Sequence, residues 1–180
     1  MNKVVIDLEA TCSDVDGEIP RHESEIIQIG AVLVVDGKII NRFMTHVKPV
    51  IHRELTPFCK SLTGITQSEV LKAPLFRDAM AKLDSWLESL DISPVEWGSW
   101  GDYDRNQFIR ELNRNKIESH ISTLHHTNFK KMFGKAHGVK PMGLGAALRL
   151  EGLKFEGKQH DALADAENIA RLSLFLLETK

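Results

Sequence analysis

Hydrophobic and polar positions in the first third of the chain follow strand-like patterns. The β-branched run VVI at residues 4–6 is typical of a buried strand. Residues 25–35 (EIIQIGAVLVV) form a second strand-like stretch, and the Asp36-Gly37 pair that follows is a strong hairpin signal. Residues 38–47 should therefore return antiparallel to the second stretch. This region is predicted to form three strands.

Helical spacing replaces the strand pattern after Pro57. Thr66 and Glu69 are placed as in a capping box, so a helix is predicted to begin there. Apolar residues that step by three and four from Leu75 to Leu90 predict an amphipathic helix. The remaining predicted elements are a strand over 94–100, a helix over 104–113 with Phe108, Ile109 and Leu112 facing inward, a short helix over 144–150 and a last helix over 161–177.

This order of elements defines a fold class. Three antiparallel strands followed by alternating helices and strands predict an α/β fold, with a mixed β-sheet flanked by helices. The length of 180 residues is typical of one domain, so residues 1–180 are predicted to form a single domain. Hydrophobic residues make up 42% of the chain, which is enough for a buried core and excludes wholesale disorder.

Charge and cysteine content exclude several classes of protein. Lys and Arg number 23 against 25 Asp and Glu, so bulk positive charge cannot hold nucleic acid, and any such contact must be local. Cys12 and Cys59 are too few for a disulfide framework or a four-cysteine zinc site, and we interpret them as buried or partly buried thiols. Without a signal-like or membrane-spanning apolar run, we expect a cytoplasmic location.

Asp7 and Glu9 form the first candidate site at the end of the first predicted strand. They lie two residues apart, so on an extended chain both side chains project from the same face. Two adjacent carboxylates repel each other unless a cation lies between them, and Mg²⁺ prefers such oxygen ligands. The alternative is an acidic pair that merely faces solvent.

His160 and Asp165 form a second cluster near the start of the last predicted helix. On one continuous helix they would lie roughly 140° apart, so they can share a target only if His160 precedes the helix. Asp161 is then a plausible cap, and a His beside a fixed carboxylate suits a general base. The alternative is a capped helix with a surface acid.

Asp102 and Asp104 form the third cluster, at the corner where a predicted strand gives way to a helix. One of the two is a candidate cap and the other a candidate metal ligand. Their spacing does not distinguish them.

Taken together, the three clusters resemble the motifs of the DEDDh family of 3′ to 5′ exonucleases. The matching segments are 7–11 (DLEAT), 101–104 (GDYD) and 160–165 (HDALAD), in the family's order. The chain is most similar to the Eri-type subgroup, the 3′ histone-mRNA exonuclease type, through residues 7–12 (DLEATC), 25–27 (EII), 58–66 (FCKSLTGIT) and 168–171 (NIAR). This resemblance covers nearly the whole chain.

The resemblance implies an RNase H-like fold with a two-metal site. The implied ligands of two divalent metal ions, Mg²⁺ or Mn²⁺, are Asp7, Glu9, Asp104 and Asp165, and the implied general base is His160. Asp102 and Asp161 are then structural.

The resemblance also implies an activity and a partner. The expected reaction is two-metal-ion hydrolysis that removes nucleoside monophosphates from 3′ ends of single-stranded nucleic acid, with RNA favoured over DNA. Ala10 and Thr11 correspond to positions that contact the terminal nucleotide, and Tyr103 is a candidate stacking neighbour. The expected partner is nucleic acid with a free 3′ end; no membrane is expected, and a targeting protein is left open.

A local basic stretch is the candidate for backbone contacts. Residues 119–150 contain no Asp or Glu but include Lys130, Lys131, Lys135, Lys140 and Arg149. We expect this stretch to border the active site and to contact phosphates; the alternative is a solvated loop and helix face. His125-His126 is a poor zinc candidate because no second ligand cluster accompanies it.

Two other functions compete with the exonuclease. Haloacid-dehalogenase-type phosphatases share the spacing of Asp7, Glu9 and Thr11, but they carry Asp at the second position, and they leave His160 and Asp165 unexplained. A non-catalytic nucleic-acid-binding protein with a degenerate nuclease fold would usually lack one or more carboxylates. All five expected site residues are present, which favours an enzyme.

Overall fold

The structure is a computed structural model that describes residues 2–90 and 96–173. In chain order, its elements are β1 (Asn2–Ala10), β2 (Ile26–Val35), β3 (Lys38–His46), α1 (Pro57–Thr63), α2 (Gln67–Lys72), α3 (Phe76–Glu88), β4 (Glu96–Ser99), α4 (Tyr103–Asn115), a 3₁₀ turn (His120–Thr123), β5 (His125–Asn128), α5 (Phe129–His137), α6 (Leu144–Leu150) and α7 (Ala162–Ala170). Within these residues, no helix is both long enough and apolar enough to cross a bilayer.

The strands form one mixed sheet in the order β3-β2-β1-β4-β5. β1, β2 and β3 are antiparallel neighbours, whereas β4 is parallel to β1 and β5 is parallel to β4. Asp36 and Gly37 both have positive φ angles, 49° and 75°, which suits the tight β2–β3 hairpin. The predicted α/β class with a mixed sheet and flanking helices is confirmed.

Helices cover both faces of the sheet and form one core on each face. The side chains of β1 alternate between these two cores. Val4, Ile6 and Leu8 pack with α3 and α4 in one core. Val5 faces the other core, which α5, α6 and α7 complete. Asp7 and Glu9 share the face of Val5, so they point toward the side of the sheet that carries α7.

Some predicted boundaries and orientations differ from the structure. Ile109 was expected to face inward but is 49% exposed, because it lies one residue round α4 from the fully buried Phe108. The regular part of α7 ends at Ala170 rather than continuing as one long helix. Residues 94–95 and 174–177 of the predicted elements lie outside the described residues.

Candidate active site

The central strand β1 brings the first two carboxylates to one end of the sheet. Asp7 and Glu9 project from the same face, as their spacing predicts. Asp104 reaches the same region from the first turn of α4, where it is only 4% exposed. The backbone N–H of Leu8 donates to Asp104 Oδ1 at 3.2 Å, which fixes Asp104 against β1 at the residue that separates Asp7 from Glu9 in the sequence.

Helix α7 brings the fourth carboxylate, and β2 holds that helix in place. Gln28, which pairs with Glu9 across the sheet, donates its amide to Asp161 and accepts the N–H of Ala162 at 2.9 Å. Gly30 pairs with Asp7 and leaves room for the helix backbone: a Cβ on Gly30 would lie 2.2 Å from the carbonyl carbon of Ala162. The start of α7 therefore rests directly on the strand beside the acidic pair.

His160 precedes α7, as sharing a target with Asp165 requires. Its backbone N–H donates to Asp165 Oδ2 at 2.9 Å, and its φ is 61°, an uncommon value for a residue other than glycine. The half-exposed ring places Nδ1 3.9 Å from Glu9 Oε1. Asp161 caps the helix by accepting the N–H of Ala164 at 2.9 Å. Ligand-type atoms of Glu9, His160 and Asp165 all lie within 4.8 Å of one another.

All four carboxylates have raised pKa values. Burial, followed by the charges of Asp104 and Asp165, raises the pKa of Asp7 well above its usual value. Burial and the charges of Asp165 and Asp104 raise the pKa of Glu9 to about 8. Burial likewise raises the pKa values of Asp104 and Asp165 to about 6, although each accepts hydrogen bonds that oppose the shift.

This electrostatic arrangement fits a divalent-metal site. The four carboxylates are held so close that their mutual repulsion disfavours the ionised forms. A cation between them would instead attract all four and favour ionisation. Oxygen donors of this kind are the ligands that Mg²⁺ and Mn²⁺ prefer. The four predicted ligands converge, and His160 lies beside them.

The carboxylates open into a cleft of about 370 Å³. Both apolar and acidic side chains line it, and the lining residues are Asp7, Leu8, Glu9, Ala10, Cys12, Leu62, Trp100, Tyr103, Asp104, Leu144, His160 and Asp165. Such a cleft can hold a group that has both a flat apolar part and an anionic part.

The structure separates the predicted substrate contacts into two groups. Ala10 and the 42%-exposed Tyr103 line the cleft. Thr11 is 2% exposed and does not line it: its hydroxyl accepts the N–H of Glu25 at 2.9 Å. The Thr11 side chain therefore binds the backbone at Glu25, just before β2, and does not reach the cleft.

None of the five predicted basic residues lines the cleft, and three of them lie on α5. Lys131 is exposed and pairs with Asp102 at 2.9 Å, directly before the cleft residue Tyr103. Lys130 and Lys135 lie on the same helix. Asp102 occupies the N-cap position of α4 but makes no side-chain cap hydrogen bond, so it is not the cap that was considered for this corner.

Sequence reasoning missed the residues that position α7. Gln28 and Gly30 interrupt the apolar run of β2, and this interruption was the available signal. A buried polar residue and a glycine inside a strand both suggest close approach of another backbone. Leu62 lies in the segment 58–66 that carries the Eri-type resemblance, but neither it nor Leu144 was singled out for the cleft, because apolar residues on helices are ordinarily core.

Comparison with known proteins first gives the class: residues 4–173 match the family model RNase_T, described as an exonuclease. The chain belongs to this exonuclease family. Human 3′-5′ exoribonuclease 1 is 30% identical over 97% of this chain and 52% of its own length. The 3′-5′ exonuclease eri1 of Schizosaccharomyces pombe is 28% identical over 94% of this chain and 65% of its own length. The chain thus spans about half the length of the human relative.

Solved structures agree with this assignment. The nuclease domain of 3′hExo, a DEDDh family member bound to rAMP, superposes with a TM-score of 0.87 at 28% identity, over 98% of this chain and 92% of that one. A 3′-exonuclease structure that shows 3′-end specific recognition of the histone mRNA stem-loop has a TM-score of 0.87 at 27% identity, over 97% and 63%. The predicted DEDDh resemblance, its Eri-type character and the RNase H-like fold are confirmed.

Proposed function

We propose that this chain is a metal-dependent exonuclease that shortens single-stranded RNA from the 3′ end and releases nucleoside 5′-monophosphates. The observation that carries the proposal is the convergence of Asp7, Glu9, Asp104 and Asp165 in one cleft, with His160 at its edge. The relatives' description as 3′-5′ exoribonucleases supports the polarity and the RNA substrate.

The proposed ligands of two divalent metal ions are Asp7, Glu9, Asp104 and Asp165, and Mg²⁺ and Mn²⁺ both suit this donor set. Two such cations would stabilise the negative charge on the attacking and departing oxygens of a phosphodiester. The raised pKa values of all four side chains support this assignment, because a site without cations gains nothing from holding them together.

His160 is the proposed general base. Its ring is half-exposed at the mouth of the cleft, so it can reach a water that enters with the substrate. The hydrogen bond from its backbone N–H to Asp165 fixes the position of the backbone that carries the imidazole ring. Once His160 accepts the proton of the attacking water, the nearby Glu9 carboxylate stabilises the imidazolium.

The shape of the cleft supports a single nucleotide at the 3′ end as the bound group. The apolar lining residues Leu62, Trp100 and Leu144 suit contact with the face of a base, and Tyr103 offers a ring for stacking. The phosphate would then lie on the side of the acidic residues, with the cations between the phosphate and the carboxylates. Ala10, which borders the acidic pair, is proposed to contact the terminal sugar.

The upstream strand is proposed to run toward α5. Lys131 lies near Tyr103 through its pair with Asp102, and Lys130 and Lys135 extend the positive surface along the same helix. Phosphate contacts there would be independent of sequence.

A time course with matched 5′-labelled single-stranded RNA and DNA tests this function. With Mg²⁺ or Mn²⁺ we expect a ladder that shortens from the 3′ end, faster on RNA, and no shortening in EDTA. Asp104→Asn removes one buried ligand with little change in volume, so the ladder should disappear. Cleavage within the strand, or a ladder that persists in Asp104→Asn, would refute the proposal.

A further inference from the structure

Two cysteines meet at the edge of the cleft. Cys12 follows β1 and lines the cleft in a partly exposed position, whereas Cys59 is fully buried in the first turn of α1. The Cys12 side chain packs against the buried cluster that contains Cys59, and each thiol shifts the pKa of the other. The chain contains no other cysteine, so this contact joins its complete set of thiols.

A single side chain holds the backbones of both cysteines. The Thr56 hydroxyl donates to the carbonyl of Cys12 at 2.7 Å and accepts the N–H of Cys59 at 3.0 Å. On its other side Cys12 follows Thr11, whose N–H donates to the carbonyl of Glu25 at 2.8 Å. Disulfides form only where the two backbones are already close and correctly directed. Thr56 keeps the two backbones close before any bond exists.

The chemical setting favours reaction of this pair. The hydrogen bond from Cys12 lowers the pKa of Cys59 to about 7, against the opposing effect of burial. A thiolate is the reactive form of cysteine toward peroxides and disulfides. Pairing with Cys59 and burial raise the pKa of Cys12, which lines the cleft, so the thiolate forms at Cys59 in the cluster against which Cys12 packs.

We propose that Cys12 and Cys59 form a redox-active dithiol, a modification site that hydrogen peroxide converts into an intramolecular disulfide. One sulfur attacks the peroxide oxygen, becomes a sulfenic acid and releases water; the second sulfur then forms the S–S bond and releases the sulfenic oxygen as another water. Two thiols and one peroxide thus give one disulfide and two waters. The sulfurs lose the two electrons that the peroxide gains.

Disulfide formation changes the wall of the cleft. A bond between the two sulfurs ties Cys12, which lines the cleft, to Cys59 on α1. It also disturbs the contact of Cys59 Sγ with the carbonyl of Ala10, which is 3.8 Å long and lies one residue from Glu9. A misplacement of about 1 Å near the reacting groups can lower the rate by about 10²-fold, so we expect the disulfide to slow the reaction by about tenfold or more. This effect on rate rests on the proposed function, but the disulfide does not.

Peptide mass mapping of the full chain tests the site. After treatment with stoichiometric hydrogen peroxide, we expect free thiols to fall from two to none and a non-reducing digest to contain the Cys12 and Cys59 peptides cross-linked with the loss of two hydrogens. Trimming of labelled RNA should fall about tenfold or more and recover in dithiothreitol. The activity of Cys59→Ala, whatever its starting level, should be the same before and after this treatment, and Cys12→Ser provides a second variant without the pair.

Retention of both thiols, a sulfinic acid at either cysteine or a disulfide-linked dimer would overturn the proposal. Equal loss of activity in Cys59→Ala would overturn the link between the pair and the cleft. Because the cross-link is detected by mass, a chain without nuclease activity would refute the proposed function while the mass map still decides whether the disulfide forms.

Discussion

Each carboxylate of the site pays an electrostatic penalty that the fold imposes. Glu9, with its pKa raised to about 8, is mostly protonated at neutral pH without a cation, and the pKa values of Asp104 and Asp165 are shifted in the same direction. Protons and divalent metal ions therefore compete for the same oxygens. His160 differs from these residues because it is half-exposed and lies at the cleft edge.

The difference between metal ligand and general base is testable by substitution. His160→Ala should lower turnover by about 10²- to 10⁴-fold while metal binding is largely kept, since only the proton acceptor is lost. Asp7→Ala should lose both activity and metal affinity. Turnover measured beside calorimetric titration with Mn²⁺ separates the two effects. Unaltered activity with comparable metal affinity in both variants would contradict the assigned roles.

At the level of elements, the sequence predicted those with strong patterns. The β2–β3 hairpin and α3 were predictable because Asp36-Gly37 and the apolar steps along residues 75–90 are specific signals. The elements α1, β5 and α5 were missed. The strand β5 is only four polar residues, HHTN, and is held by pairing with β4 rather than by its own propensity. Helix α1 is seven residues long, too short for periodicity to show.

The docking of α7 on β2 yields a prediction at this scale. Gly30→Ala places a methyl group against the backbone of Ala162 and Leu163, which cannot rotate away, so α7 must shift and carry Asp165 with it. We expect the free energy of unfolding to fall by at least about 1–3 kcal/mol and the activity to be lost. Urea unfolding curves measure the first effect and RNA trimming the second.

Gly145→Ala is the matched control for this change. A Cβ added to Gly145 would lie 3.5 Å from the Arg149 guanidinium, an ordinary contact distance, and the position is helical. Alanine there should be neutral or stabilise by up to about 1 kcal/mol, because it favours the helix. Equal behaviour of the two variants would show that α7 does not depend on the missing Cβ.

At the scale of the whole molecule, the site is assembled from β1, α4 and α7, which are distant in sequence. The sequence identified the candidate side chains, because acidic residues at strand ends and helix starts are recognisable. Its own spacing could not choose between Asp102 and Asp104. That choice came from the family resemblance, and the burial of Asp104 beside Leu8 agrees with it.

Folding stability should depend on the site's charge. Since the folded-state pKa of Asp7 is raised above the usual 3.8, its ionisation costs stability, and the penalty grows as pH rises from that value to the folded-state pKa. Asp7→Asn should therefore raise the melting temperature in EDTA at pH 8, by about 2–4 °C for each kcal/mol of penalty removed. The difference should vanish near pH 4.

Thermal melts of wild type, Asp7→Asn and the exposed control Asp14→Asn measure this effect. Mn²⁺ should raise the melting temperature of the wild type more than that of Asp7→Asn, because binding to the folded state stabilises it. A lower melting temperature for Asp7→Asn in EDTA at pH 8 would contradict the electrostatic account.

The basic surface of α5 yields a prediction about binding of the whole substrate. Replacing Lys130, Lys131 and Lys135 together by Ala should reduce the magnitude of the slope of log affinity against log salt by about 2. Each phosphate contact on a single strand contributes about 0.7 to that slope. Fluorescence anisotropy with labelled RNA in an Asp104→Asn background measures it without turnover. A control triple, Lys38, Lys72 and Lys82 to Ala on other elements, should keep the slope. An unchanged slope in the α5 triple would reject this path.

The most direct test of the central claim is the identity of the first product released from RNA that carries label only in its 3′-terminal nucleotide. The account predicts that the label appears at the earliest times as a nucleoside 5′-monophosphate, requires Mg²⁺ or Mn²⁺, and is not released by Asp104→Asn. Label in longer fragments, or in inorganic phosphate, would contradict the assignment of this carboxylate site to 3′-terminal hydrolysis.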